Sequence, residues 1–318
     1  MQPAEIVMLE GGGPRLALRV RRPEGRPRGA LLFVHGATLA SEFYDVPLAG
    51  YSWMAAAAAA GRMAFAVDLR GYGLSERPAC FERPASEAPP YARAQCVLAD
   101  IDRAVEAARS ASGLEKIDLV GGSWGSVTSS LYAAGPGREK LRRLVLYAPL
   151  YAERNPPWLE ICGAPADPDR LNPDLGAYRW VAPADLRARW DEEIPYADKS
   201  RLRPEAVFQA LIGAALAADP ASARRDPPAF RVPNGTLVDL HSVFSGRPLY
   251  DPVDITLPTL LLRGDADPTS THDDTARLLA KLGSNVKRQE TIPGATHFAI
   301  AERAAPRIFR AAEAFLSS

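Results

Sequence analysis

Cysteine is scarce in this chain of 318 residues, and the few cysteines exclude several kinds of site. Cys80, Cys96 and Cys162 are scattered and lack the spacing of metal ligands, so we expect reduced thiols and no metal centre. No charge of one sign dominates, because 38 basic residues balance 38 acidic ones. No basic run contains interleaved aromatic residues. Nucleic acid and anionic membranes are therefore not expected as partners.

Long apolar runs are also missing. The longest strongly apolar stretch, residues 53–60, is too short to span a bilayer. The first residues lack the charged region and apolar core of a signal peptide, so we expect a cytoplasmic location. The length exceeds that of a typical single domain, which predicts two domains or one domain with a large insertion.

Short strand-like runs alternate with helical segments at both ends of the chain. Residues 30–34 form a continuous apolar run, which is typical of a strand buried on both faces of a parallel sheet. Similar runs and amphipathic segments recur up to residue 149 and again from residue 253. The alternation predicts an α/β core with a mostly parallel sheet, formed by residues 1–149 and 253–318.

The segment between these parts, residues 150–252, is rich in proline, tryptophan and charge and shows no clear buried strand. Helical patterns occur at residues 185–193 and 202–218. We predict that the segment is a helical cap over the active site. Its aromatic residues either line an apolar acyl pocket or form the core of the cap itself.

The most informative motif is G-x-S-x-G, formed by Gly121, Ser123 and Gly125. An apolar strand precedes it and a helical run follows, which is the context of a nucleophile elbow. Small residues are needed on either side of the serine because the chain crosses itself closely at such a turn. The turn exposes the Ser123 hydroxyl and places the Trp124 N–H at a helix N-terminus, where it can bind an oxyanion.

A serine nucleophile requires a base, and the base requires an acid that orients it. His297 follows the last predicted strand, at the sheet edge where functional groups of parallel sheets collect. Asp265 and Asp267 both follow the preceding strand, and geometry alone leaves the choice between them open. The second oxyanion donor is expected in the loop after residue 34, and the Ala37 N–H is our candidate. His35 in that loop, and the Asp68 turn, are expected to be structural.

These motifs together resemble those of the α/β-hydrolase superfamily. They cover nearly the whole chain outside the inserted segment and read, in order, His35-Gly36, Asp68-x-Arg70-Gly71-x-Gly73-x-Ser75, Gly121-x-Ser123-x-Gly125, Gly264-x-x-Asp267 and Gly294-x-x-His297. The resemblance implies the α/β-hydrolase fold with an inserted helical cap. The G-x-x-D spacing of that superfamily also implies that Asp267, rather than Asp265, is the acid.

The sequence Gly-Gly-Ser-Trp-Gly at residues 121–125 is further similar to the proline iminopeptidase branch of the superfamily. That branch uses cap carboxylates to hold a free ammonium group. Asp191, Glu192 and Glu193 are the matching candidates, and a solvated acidic helix end is the alternative. The branch carries His-Gly-Gly-Pro-Gly in its oxyanion loop, whereas residues 35–39 read His-Gly-Ala-Thr-Leu. This departure favours an ester or a lactone as substrate.

We therefore predict a serine hydrolase that acts on a small carboxylic ester or lactone through Ser123, His297 and Asp267, with no cofactor. An aminopeptidase of the proline iminopeptidase type is the first alternative. A ligand-binding protein that lacks catalysis is the second. The residues that we expect to contact the substrate are Thr38, Trp158, Phe208, Phe244 and Phe298.

Overall fold

The protein is built around a mostly parallel sheet, which a computed structural model describes together with the rest of residues 3–318. The core contains eight strands of this sheet, β1 (Glu5–Leu9), β2 (Leu16–Arg21), β3 (Gly29–Val34), β4 (Arg62–Val67), β5 (Ile117–Gly122), β6 (Leu141–Tyr147), β11 (Thr259–Gly264) and β12 (Lys287–Ile292). Five helices accompany them, α1 (Trp53–Ala59), α2 (Ala94–Ser112), α3 (Trp124–Ala134), α8 (His272–Lys281) and α9 (Ala305–Ser317).

The strand order in the sheet is β1-β2-β4-β3-β5-β6-β11-β12. β1 and β2 form an antiparallel hairpin, and β2 pairs antiparallel with β4. The remaining neighbours are parallel. The carboxyl ends of β3, β5, β11 and β12 therefore lie along one edge of the sheet, where ligand sites of α/β folds are found. The predicted α/β-hydrolase fold is confirmed.

Both faces of the sheet are buried because alternate side chains pack into separate cores. In β3, Leu32 and Val34 join the core that contains α2 and α3. Leu31 and Phe33 point to the other core, which contains α1 and α9. There the Phe33 ring lies 5.3 Å from Trp53, which stacks on Phe309. This two-sided burial explains why the strand is apolar at every position.

The segment between β6 and β11 contains four helices, α4 (Pro156–Cys162), α5 (Pro183–Glu193), α6 (Glu205–Ala218) and α7 (Gly235–Phe244). α6 begins later than the predicted start at residue 202, because Pro204 keeps the backbone extended just before the helix. The boundaries of a cap at residues 150 and 252 stay a prediction. None of the helices described in residues 3–318 is long and apolar enough to cross a membrane.

The expectation that this segment lacks buried strands is wrong. It contains four short strands, β7 (Gly163–Ala164), β8 (Asp167–Leu171), β9 (Tyr178–Val181) and β10 (Phe230–Pro233), and β10 is buried at every position. β9 and β10 pair antiparallel although a long stretch of chain separates them. Each has four residues, and each carries an arginine, so neither the length nor the hydrophobic pattern could reveal it.

The helix α7 is attached to the core near the serine turn. Asp239 accepts hydrogen bonds from the Ala94 N–H and the Arg93 Nε, both at 2.6 Å, at the start of α2. It also accepts a hydrogen bond from the Trp124 indole Nε1 at 3.1 Å. The Trp124 side chain is therefore an anchor between helices and is fully buried.

Candidate active site

Ser123 is the single residue between a strand and a helix. β5 ends at Gly122 and α3 begins at Trp124, so the serine forms the whole connection. Its backbone adopts φ 56° and ψ −124°, which is unusual for a residue with a side chain. Such a conformation costs on the order of 1–3 kcal/mol and persists only where the surroundings impose it. One constraint is the hydrogen bond of 2.9 Å from the Ser123 N–H to the Tyr147 carbonyl.

Glycine is required at three positions around this turn. A Cβ atom at Gly121 would collide with the Gly125 carbonyl, and one at Gly125 would collide with the carbonyls of residues 34 and 35. A Cβ atom at Gly36 would lie 3.1 Å from the Cβ of Ser123. The close crossing expected from the sequence is thus present, and the oxyanion loop also contributes to it.

The structure brings Ser123, His297 and Asp267 together in one chain of hydrogen bonds. The distance from Ser123 Oγ to His297 Nε2 is 2.9 Å. The distances from His297 Nδ1 to the two Asp267 oxygens are 2.9 and 3.0 Å. A neutral imidazole fits this arrangement if Nδ1–H donates to the carboxylate and Nε2 accepts from the hydroxyl. The Asp267 side chain has no exposed surface.

The two aspartates after β11 have different partners. Asp267 Oδ1 also accepts hydrogen bonds from the N–H groups of Thr269 and Ser270, at 2.8 and 2.9 Å. Asp265 Oδ1 instead accepts those of Gly294 and Ala295, at 2.8 and 3.2 Å. Asp265 therefore holds the backbone of the loop that carries His297, while Asp267 faces the imidazole.

The helix α5 holds the same loop from the opposite side. Glu193 Oε2 accepts the His297 N–H at 3.0 Å. The Trp190 indole Nε1 donates to Glu302 at 2.9 Å, and Glu302 in turn accepts from the N–H and the hydroxyl of Thr296. The Trp190 ring also stacks on Phe298, with 4.6 Å between the centroids. Burial raises the pKa of Glu193 to about 7 and also raises the pKa of Glu302.

Tyr147 connects the serine to the histidine loop. Its carbonyl accepts the Ser123 N–H, and its hydroxyl donates to the His297 carbonyl at 2.6 Å. The side chain is buried, and burial raises the pKa of its phenol well above the usual value. The hydroxyl is consequently a proton donor at all ordinary pH values.

The oxyanion loop after β3 is fixed by surrounding donors. The Ala37 carbonyl accepts hydrogen bonds from the Tyr72 hydroxyl at 3.1 Å and from Arg179 at 3.0 Å. His35 lies with Nε2 3.1 Å from the Leu69 N–H and Nδ1 2.8 Å from the Gly36 carbonyl, so its ring ties two turns together. Burial lowers its pKa and keeps the ring neutral. Ala37 and Gly36 both line the cavity beside Ser123.

The Asp68 carboxylate organises the neighbouring turn. It accepts the N–H groups of Ser41 and Leu74, both at 2.8 Å. A Cβ atom at Gly73 would collide with it, which explains the glycine there. The residue is buried away from the cavity that contains Ser123.

Three of the five predicted substrate contacts line the cavity beside Ser123, namely Thr38, Trp158 and Phe298. The predictions for Phe208 and Phe244 are wrong in this respect. Phe208 packs in the interior against Trp190, and Phe244 stacks on the inner side of Trp158, 5.3 Å away. They belong to the core of the inserted segment, which was the alternative interpretation of its aromatic residues.

The acidic end of α5 is only partly a solvated surface. Glu192 is exposed, and Asp191 forms an ion pair with Arg203 at 2.8 Å. Glu193, whose side chain is 6% exposed, points to the histidine loop. Sequence reasoning missed Arg189, which lines the cavity. The four-residue spacing of Arg189 and Glu193 on a helix was the available signal. No group of three or more metal-ligating side chains is arranged to hold an ion within residues 3–318.

Solved structures with the same fold cover nearly the whole chain. A thermophilic esterase from Thermogutta terrifontis is 18% identical, with a TM-score of 0.67 over 99% of this chain and 98% of its own. A 2-hydroxy-6-oxo-6-phenylhexa-2,4-dienoate hydrolase from Rhodococcus sp. strain RHA1 is 17% identical, with a TM-score of 0.66 over 99% and 100%. A bromoperoxidase from Bacillus anthracis is 18% identical, with a TM-score of 0.63 over 99% and 100%.

These identities are low, so the likeness shows the fold and not the substrate. The comparison with curated proteins found no match. The sequence pattern that does match is described as the alpha/beta hydrolase family, and it extends over residues 31–311. This range includes every residue of the site described above. The chain therefore belongs to the alpha/beta hydrolase family.

Proposed function

We propose that the protein is a serine hydrolase that cleaves a small carboxylic ester or lactone through an acyl-enzyme on Ser123. The observation that carries the proposal is the hydrogen-bonded chain from Ser123 Oγ through His297 to Asp267. A hydroxyl is a weak nucleophile at neutral pH, and this chain supplies both a base and a group that orients the base. The reaction needs no cofactor.

In the acylation step, His297 Nε2 removes the Ser123 proton while Oγ attacks the carbonyl carbon of the ester. Asp267 fixes the tautomer that leaves Nε2 free to accept a proton, and it stabilises the imidazolium that forms. The Ala37 and Trp124 N–H groups would bind the oxygen that becomes negative. Trp124 is the first residue of α3, so its N–H has no acceptor within the helix.

The imidazolium then donates its proton to the departing alcohol oxygen as the tetrahedral intermediate collapses. A water molecule enters, and His297 removes its proton as the oxygen attacks the acyl carbon. Collapse of the second intermediate returns the proton to Ser123 and releases the acid. A lactone follows the same steps, except that the leaving oxygen stays attached to the product.

The cavity beside Ser123 favours a small substrate. Its free space is about 40 Å³, and rings of Phe43, Trp158 and Phe298 surround it. No carboxylate lines it in the described part of the chain, and Arg189 is close by. A substrate with a free ammonium group would meet the Arg189 cation and, among the described lining residues, no carboxylate that could bind it, so the cavity is less suited to an aminopeptidase. We place the cap at residues 150–252 and the protein in the cytoplasm as part of this proposal.

The proposal is tested with a fluorophosphonate probe and a substrate panel. Wild-type protein is expected to be labelled at Ser123 and to hydrolyse short 4-nitrophenyl esters or γ-lactones faster than prolyl 4-nitroanilide. Ser123→Ala should lose labelling and lower kcat by roughly 10⁶-fold. A preference for the anilide would instead support the aminopeptidase alternative. Folded protein that resists labelling and cleaves nothing would support a ligand-binding role.

A further inference from the structure

Arg189 introduces a positive charge into an otherwise apolar cavity. Within residues 3–318, it is the one lysine or arginine among the residues that line the space beside Ser123, and no acidic residue lines that space. The guanidinium lies over two aromatic rings, 4.7 Å from the centroid of Trp158 and 5.4 Å from that of Phe298. Such contacts hold the group in place but satisfy none of its N–H donors.

The donors of Arg189 are largely unused. Its ion pair with Glu193 has an Nε to Oε1 distance of 3.8 Å, beyond hydrogen-bond range, and within residues 3–318 its guanidinium donates no hydrogen bond. The other Glu193 oxygen accepts the His297 N–H. Burial raises the pKa of Glu193 to about 7, so this acid is only a partial counter-charge near neutral pH.

Arg179, nearby on β9, is an arginine whose guanidinium donates several hydrogen bonds to protein acceptors. Its guanidinium donates to the carbonyls of Pro233 and Ala37, at 3.1 and 3.0 Å, and to the Asn234 side chain at 3.2 Å. These bonds assign Arg179 to the support of the oxyanion loop. Arg189 has no comparable set of acceptors among the described residues, and its side chain is 29% exposed, so its donors can reach a ligand.

Space for a second substrate group adjoins Arg189. A cavity of about 250 Å³ lies next to the one that contains Ser123, and the two share Thr38, Trp158, Leu186 and Arg189. Asp185 at the rim of this second cavity is exposed and accepts the Ala182 N–H at 3.3 Å. Arg189 thus stands where the two cavities meet, beside the reacting serine.

We propose that the natural substrate is an ester that carries a carboxylate, and that Arg189 binds this carboxylate while Ser123 attacks the ester carbonyl. The inference rests on the proposed hydrolase function and adds a substrate class to it. A guanidinium binds a carboxylate through two parallel hydrogen bonds, and the apolar surroundings strengthen them.

The experiment compares matched substrates. The 4-nitrophenyl half-esters of succinic, glutaric and adipic acids carry a free carboxylate at three distances from the reacting carbonyl. Their methyl-capped forms have almost the same size and leaving group but no charge. The quantity measured is the ratio of kcat/KM for the charged ester to kcat/KM for its capped form, after subtraction of the rate with Ser123→Ala. We expect wild-type protein to give a ratio of about 10–100 for at least one length.

Variants at two positions of α5 distinguish recognition of the substrate charge from effects on packing. Arg189→Gln should lower the ratio at least tenfold, and Arg189→Lys should keep part of it because the charge remains. Arg187→Gln is the matched control. Arg187 lies on the same helix but pairs with Glu205 and stacks on Phe208, outside the cavity. It should leave the ratio as in the wild type. A wild-type ratio near one, or an unchanged ratio in Arg189→Gln, overturns the proposal.

A binding measurement keeps this inference separate from the hydrolase proposal. Glutarate is titrated by calorimetry into Ser123→Ala and into the same protein with Arg189→Gln. Binding to the first and a loss of at least tenfold in the second support the carboxylate site even if no ester is cleaved. Equal binding to both, or none to either, counts against the site even if neutral esters are cleaved well.

Discussion

The serine turn and the histidine loop are built in different ways although they meet at one hydrogen bond. Close backbone packing shapes the serine turn, because a Cβ at Gly121 would meet the Gly125 carbonyl and a Cβ at Gly125 would meet the carbonyls of Val34 and His35. The histidine loop is held from a distance by side chains. Asp265 comes from the preceding strand end, whereas Trp190 and Glu193 come from a helix about a hundred residues earlier in the chain.

This difference explains what the sequence could reveal. The serine turn carries its glycines and its serine in five consecutive residues, so the motif predicted the sharp turn and the candidate nucleophile. The position of His297 followed from the rule that functional groups collect at strand ends. Asp267 was separated from Asp265 only by family resemblance, because their partners lie on other loops.

The inserted segment was less predictable for the same reason. β9 finds its partner through long-range packing, and the direction of the Phe208 side chain depends on the position of Trp190. The role of Glu193 depends on a backbone N–H that belongs to another element. No local pattern encodes these contacts. The composition of the segment predicted an inserted helical cap, but it did not predict how the helices and strands of that segment pack together.

The largest effect should come from adding one methyl group to the serine turn. Gly125→Ala places a Cβ against the carbonyls of Val34 and His35, so we expect destabilisation of at least about 3 kcal/mol and loss of fluorophosphonate labelling. Gly294→Ala is the control in the histidine loop. Gly294 has φ 66° but nothing within 4 Å of an added Cβ, so strain alone should cost about 1 kcal/mol. Equal losses in the free energy of unfolding, measured with urea, would contradict the expected difference between the two variants.

The two aspartates should differ strongly in catalysis. Asp267→Asn removes the charge that fixes the imidazole tautomer, and we expect kcat for a short ester to fall by roughly 10⁴-fold. Asp265→Asn keeps the Oδ1 atom, which accepts both N–H groups, so a decrease below about tenfold is expected. Steady-state kinetics on both variants measure the two decreases in kcat. A larger effect at Asp265 would reverse the assignment.

A moderate effect is expected where α5 supports the histidine loop. Trp190→Phe keeps an aromatic ring against Phe298 but removes the donor to Glu302. We expect a stability loss of about 1–3 kcal/mol and a several-fold decrease in kcat. The reason is that Glu302, which accepts hydrogen bonds from Thr296, would no longer be held in place by the Trp190 donor. Trp180→Phe is the control, because the ring of Trp180 contacts Tyr178, Arg225 and Arg231 and none of these residues belongs to the His297 loop. Identical behaviour of the two variants would show that α5 does not act on the base.

The smallest effect should appear as a pH dependence of stability. The pKa of Glu193 is about 7 in the folded protein, above its unfolded value of 4.5. Protonation of Glu193 therefore contributes stability that is fully present below pH 4.5 and is lost as the pH rises through 7.

Urea unfolding of wild type and Glu193→Gln at pH 5 and pH 8 tests this expectation. The variant lacks the titrating group, so its stability relative to wild type should be higher at pH 8 than at pH 5. Glu192→Gln, which changes an exposed neighbour, should show the same difference from wild type at both pH values. If the difference in stability between Glu193→Gln and wild type were the same at both pH values, the pKa of Glu193 would not be raised in the folded protein.

The contact between Glu193 and the His297 N–H also bears on motion. α5 covers the cavity through Arg189 and at the same time holds the base through Glu193. Any displacement of α5 would change the lining of the cavity and break the Glu193 contact with the His297 N–H together. The shape of the cavity and the position of the His297 loop are thus coupled through one helix.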